Sequence, residues 1–145
     1  LGEISEGKIS IGKKRVRVDY YSPSKILIIL DKDKAMYYNY DLDEDEFFNP
    51  KDTSAWFFFE IFNNPIFFLD SDITLEDNNI ILIKDGVNNE VYYKLSLFFE
   101  NNPFIIRKIN LEYNNENLTL SVHNHTFDEE FSEEHFKLIN PIFFN

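Results

Sequence analysis

The chain contains no cysteine, so it has no disulfide framework, and its redox compartment cannot be read from cysteine use in either direction. Glycine is scarce, 4 residues in 145, and no glycine-rich loop of the kind that cradles phosphate is present. There are only two alanines against 16 Phe and 8 Tyr, a balance that favours sheet over helix bundle. No run approaches the roughly 20 apolar residues needed to span a bilayer as a helix. Leu1 is preceded by no Met, basic segment or apolar segment, so the sequence reads as a soluble mature or trimmed chain. Basic residues are also few, 14 against 26 acidic ones. The resulting net charge of −12 and pI near 4.6 argue against a nucleic-acid partner, because phosphate binding is driven by Lys and Arg. A basic or amphiphilic partner suits that charge, and so does simple solubility.

What is abundant is alternation. From Lys13 to Tyr40 the chain reads as three antiparallel strands. Arg15, Arg17 and Asp19 alternate with Val16, Val18 and Tyr20, which gives one charged and one apolar face. Ser22-Pro23-Ser24 interrupts the run before the aliphatic stretch Ile26 to Leu30, and Asp31 to Lys34 makes a turn into Met36, Tyr38 and Tyr40. Upstream, Ile4, Ile9 and Ile11 suggest a leading strand that ends at Gly12. Downstream of residue 72 the hairpins resume. Leu95 and Leu97, Ile109 and Leu111, and Leu120 and Val122 occupy one face of three successive strands separated by Asn-rich turns. By this reading Arg17 and Lys94 face away from the apolar interior.

Helical character is confined to one region. Asn49-Pro50 is turn punctuation, Asp52 or Thr53 can cap a helix, and Asn63-Asn64-Pro65 stops it. Trp56, Phe57, Phe58, Phe59, Ile61 and Phe62 would clothe nearly its whole circumference, so such a helix must be sandwiched or lie over an apolar concavity. The expected fold is therefore mainly β, with helix on sheet. Eight to ten strands are too many for a flat open sheet, which leaves a β-sandwich or one strongly curved sheet plugged by helix.

Candidate chemistry is sparse. His123 and His125, two apart on a strand, have a metal-ligand spacing but no evident third ligand. Asp41 to Asp45 is an acidic cluster that lacks the glycine and terminal glutamate of a calcium loop, so a solvated turn accounts for it better. Glu133-Glu134-His135 offers a general base by residue type alone, without a nucleophile or matched acid. Neither catalytic residues nor a cofactor or metal is expected. A metal-dependent module or enzyme using His123 and His125 is the alternative.

Gly7, a short strand, Arg17-Val18-Asp19-Tyr20, Pro23, an apolar strand, Asp31, and then Met36, Tyr38 and Leu42 together resemble the outer-membrane lipoprotein carrier family, the LolA-like periplasmic chaperones. Phe136 to Pro141 is similar to that family's closing strand and proline loop. The resemblance implies a single domain over residues 1–145, likened to a family whose N-terminal helix is missing here. It selects the curved sheet: an incomplete antiparallel barrel with a helical lid. It implies that Val16, Val18, Tyr20, Met36, Tyr38, Leu95, Leu97, Ile109, Leu111, Leu120 and Val122 line an acyl-binding concavity covered by residues 56–62. It further implies a monomeric, non-catalytic periplasmic carrier of acylated lipoproteins or lipid, served by an inner-membrane release complex and an outer-membrane acceptor. The acceptor role within the same fold is the variant of that reading. The motif is departed from at three places. Val18 and Met36 stand where the family has tryptophan, and Gly12 stands where it has a lid-clamping arginine.

Overall fold

In a computed structural model, which describes residues 3–144, the strands form two separate five-stranded antiparallel meanders. The first comprises β1 (Glu6–Ile11), β2 (Val16–Ser22), β3 (Ile26–Leu30), β4 (Ala35–Asn39) and β5 (Glu44–Phe48), paired in chain order. After a 3₁₀ turn at Pro50–Asp52 comes α1 (Ala55–Asn63). A second 3₁₀ turn, Pro65–Phe68, leads into β6 (Asp72–Glu76), β7 (Asn79–Asn88), β8 (Val91–Glu100), β9 (Ile105–Tyr113) and β10 (Glu116–Ser121), again paired in order. Two compact units result, Leu1–Asn64 with Glu130–Asn145, and Pro65–Glu129.

The mainly β, antiparallel class expected from alternation is what the chain adopts. The single strongly curved sheet is not, since there are two sheets and neither is strongly curled. The physical reason is the helical interruption after Phe48, which takes the backbone out of the first ladder before β6 begins a new one.

Turns that in most proteins would use glycine use Asn and Asp. Positive φ occurs at Asp43, Asp77, Asn89, Asn114 and Asn115, whose short polar side chains tolerate the left-handed region. Gly7 is required for a different reason. It lies at a register shift in the β1–β2 ladder, where a Cβ would run into the carbonyl of Asp19.

In the second unit the register aligns Leu82, Leu97, Ile109 and Leu120 in one row and Leu95, Leu111 and Leu118 in the next. The shared face of Leu95, Leu97, Ile109, Leu111 and Leu120 is therefore as expected, and the first four are essentially inaccessible. Val122 lies just past β10, where its N–H still donates to the carbonyl of Arg107 at 2.8 Å. The opposite face is wet at one row, where Lys94 stands between Asp85 and Glu112 across the register and all three are exposed, whereas Ser96 in the next row is buried. On the apolar face Lys84 is only 13% exposed. Its Nζ donates to the Phe67 carbonyl at 2.6 Å and pairs with Asp70 at 2.7 Å, which holds the 3₁₀ turn to the sheet.

Candidate functional site

The first sheet carries the residues to which sequence assigned a lid, a lining and a charged face. Pairing puts Val16 beside Leu30 and Ala35, and Val18 beside Ile28 and Tyr37. Helix α1 rests on that face. Phe59, 8% exposed, packs with Val16, Leu30 and Ala35, and Ile9, Val18, Ile28, Phe48, Ala55, Phe58 and Phe62 close around them. Tyr20 shares this face, and burial pushes its phenol upward from its ordinary pKa. Of the other lid residues, Phe57 is fully buried with its ring edge-on to Trp56 at 4.9 Å, while Trp56 and Ile61 are half-buried.

Met36 and Tyr38 do not join Val16, Val18 and Tyr20. Met36 pairs with Ile29, and Ile29 with Arg17, so Met36 and Tyr38 point to the opposite face with Leu27 and Ile29. The turn Asp31 to Lys34 brings Leu30 against Ala35, and this odd offset reverses the parity between the second and fourth strands. The proposed lining of one concavity is thus divided among three surfaces: the helix-covered face of the first sheet, its opposite face, and the apolar face of the second sheet.

Nor is the Arg17 face wet. The C-terminal segment crosses it as a strap. Leu138 packs on the cluster of Leu27, Ile29, Met36 and Tyr38, and all four of these are at most 2% exposed. Arg17 grips Asp19 through two N–H···O bonds of 2.9 and 3.0 Å and donates a third, of 2.9 Å, to the carbonyl of His135. Arg15 bridges Asp31 at 2.8 Å and the carbonyl of Phe136 at 2.9 Å. Those carbonyls end the 3₁₀ turn Glu133–Phe136, where backbone oxygens lack internal donors and guanidinium is a suitable partner. His135 Nε2 lies 3.1 Å from the buried hydroxyl of Ser10, and its ring stacks on Phe131 at 4.6 Å.

Gly12 is explained by the same strap. The ring of Phe136 lies over it, and a Cβ there would come within 3.0 Å of ring carbons. A side chain at this position would press on the Phe136 ring, and the strap is held by Arg15 and Arg17. Sequence reasoning missed this role. The available signal was two arginines at alternate positions of one strand, whose guanidinium groups have more donors than their single carboxylate partners, Asp31 and Asp19, can use.

A shallow cleft of about 340 Å³ opens beside the strap between Arg17, Lys25 and Tyr40 on one side and Ser132, Glu134, His135 and Pro141 on the other. Lys25 Nζ sits over the Tyr40 ring at 4.5 Å. Desolvation raises the Tyr40 pKa, partly offset by Arg17. The cleft is polar and its guanidinium is already engaged in the strap.

The acidic cluster is partly strand: the turn ends at Asp43 and β5 starts at Glu44. Asp43 accepts a 2.5 Å hydrogen bond from the Tyr38 hydroxyl, and this bond, followed by burial, pushes the Tyr38 pKa from 10.0 to about 12. Neutral Tyr38 is favoured by the fold, so its stabilising contribution is present below pH 10.0 and disappears as pH rises through about 12. Ultraviolet titration of folded protein should show one tyrosine ionising near that upper limit, and Asp43→Asn should move it down. An unchanged late-titrating tyrosine in the variant would contradict the assignment.

His123 and His125 are not two residues of one strand face. β10 ends at Ser121, and Asn124, between them, has a φ of 56°, which breaks the period-two relation. His123 is exposed, whereas His125 donates from Nε2 to the carbonyl of Ile106 at 2.8 Å. Among the described residues no three His, Cys, Asp or Glu side chains gather as a metal site. No helix among them is long and apolar enough to cross a membrane. No family model and no curated protein matches the chain.

Proposed function

We propose that the protein is a non-catalytic carrier of acyl or comparably apolar cargo, with α1 as the cover of its binding surface. The observation that carries this reading is a nine-residue helix, aromatic on nearly every side, that meets a sheet face through apolar side chains. The surface beneath it is narrower than sequence suggested: Ile9, Val16, Val18, Ile28, Leu30, Ala35 and Phe48. Cargo reaches that surface only by displacing α1. Fully burying a large apolar side chain is worth about 1.5–3 kcal/mol, so exposing the helix face costs on the order of 10 kcal/mol. At about 0.8 kcal/mol per shielded CH₂, one long acyl chain does little more than offset this, whereas two or three exceed it. A multiply acylated ligand is therefore favoured over a free fatty acid.

The finer reading rests on the sequence resemblance. The cargo is then the acylated N-terminus of a lipoprotein, carried through the periplasm from an inner-membrane release complex to an outer-membrane acceptor, and the carrier acts as a monomer. A polarity-sensitive acyl probe tests the coarser reading. Wild type should brighten a diacyl probe more than a single-chain one, and Phe58→Glu, in protein that keeps its circular dichroism, should weaken that response at least tenfold. Wild-type indifference to both probes, or an unchanged response in the folded variant, would make α1 ordinary core.

A further inference from the structure

We propose that the outer edge of β6 is a docking strand for an extended peptide with alternating apolar residues flanked by Lys or Arg. β6 ends its sheet, all five of its residues are exposed, and Ile73 and Leu75 are 67% and 73% accessible on one face. The two-residue turn that pairs Glu76 with Asn79 makes that pair, and then Thr74 with Ile81 and Asp72 with Ile83, the hydrogen-bonded ones. The N–H and C=O groups of Ile73 and Leu75 consequently point outward, as an unfilled ladder.

The edge is also fixed in place. Asn78 in the turn accepts from the Asn101 N–H at 3.0 Å and donates from Nδ2 to the Asn101 carbonyl at 2.6 Å, so the hairpin tip is tied to the β8–β9 connection. Both edges of the first sheet are blunted: β1 by the register shift at Gly7, and β5 by three successive carboxylates, Glu44, Asp45 and Glu46. β6 has neither device.

Charge selects the occupant. Asp72 and Glu76 flank Thr74 on the face opposite Ile73 and Leu75, and across the register they meet only Ile83 and Asn79. A second copy, paired antiparallel over the full strand, would set Asp72 against Glu76 twice, between chains that each carry −12. A basic-flanked strand instead places a cation opposite each carboxylate while its apolar residues cover Ile73 and Leu75.

The probe is a capped, dye-labelled Lys-Val-Thr-Val-Lys peptide, read by fluorescence anisotropy on the full chain. Wild type should bind it saturably. Its glutamate-flanked counterpart, and a version N-methylated at alternate residues so that it cannot complete the ladder, should bind at least tenfold more weakly. Leu75→Pro removes an outward N–H without touching the β6–β7 ladder and should cost a similar factor. Asp72→Lys with Glu76→Lys should invert the preference toward the glutamate-flanked peptide, a gain that misfolding cannot produce. No binding by wild type, equal binding of the N-methylated peptide, or a wild-type dimer that Leu75→Pro dissociates would each overturn the proposal.

Discussion

A chain ending at Glu129 is expected to lose the cooperative fold of its first unit. The deletion uncovers a whole sheet face on which Leu27, Ile29, Met36 and Tyr38 are at most 2% exposed, and it removes the carbonyls that Arg15 and Arg17 engage. Re-exposing four large apolar side chains at about 1.5–3 kcal/mol each approaches the whole stability of an ordinary domain, about 5–15 kcal/mol. Thermal unfolding followed by circular dichroism should show the first transition shifted sharply down or absent. Arg15→Met with Arg17→Met, which leaves the apolar cover in place, should cost far less, about 1–3 kcal/mol. If the shortened chain melts like the full one, the C-terminal segment is not a structural cover.

The second large effect belongs to α1. Phe59→Ala should destabilise the protein by about 3–5 kcal/mol, because the ring leaves a cavity between the helix and the closely packed Val16, Leu30 and Ala35. For a chain of this size that corresponds to a fall in Tm of roughly 10 °C. Val16→Ala should be costly alone and less than additive with Phe59→Ala, since both enlarge one void. Denaturant unfolding of the two single variants and the double variant checks this. Strict additivity would mean that the two side chains do not share a packing site.

Where both registers of a strand differ in polarity, sequence reveals which side chains share a face. Leu95 and Leu97 alternate with Lys94 and Ser96, and Ile109 and Leu111 with Asn110 and Glu112, and these rows fold as expected. β4 has no such contrast. Ala35, Met36, Tyr37 and Tyr38 are all compatible with burial, so alternation cannot say which way Met36 points, and the four-residue turn before it decides instead. β5 was hidden for the opposite reason. Glu44, Asp45 and Glu46 resemble a solvated turn because an edge strand can afford to be polar throughout. The helix was legible from its prolines and rings. Its seat on one face of the first sheet depends on non-local packing of Phe59 against Val16, Leu30 and Ala35, and the strap on the other face depends on contacts between residues more than a hundred positions apart, which no local pattern encodes.

Those same contacts order the folding of the chain in time. Every strand of both sheets pairs with its sequence neighbour, so each ladder can form from short-range closures that carry little entropic cost. The strap alone must return from residue 136 to residue 15. During synthesis, the second unit is complete before the segment that seals the first has left the ribosome. The nascent first sheet therefore waits with Leu27, Ile29, Met36 and Tyr38 uncovered, and it is in that interval, rather than in the finished protein, that the chain is most exposed to aggregation.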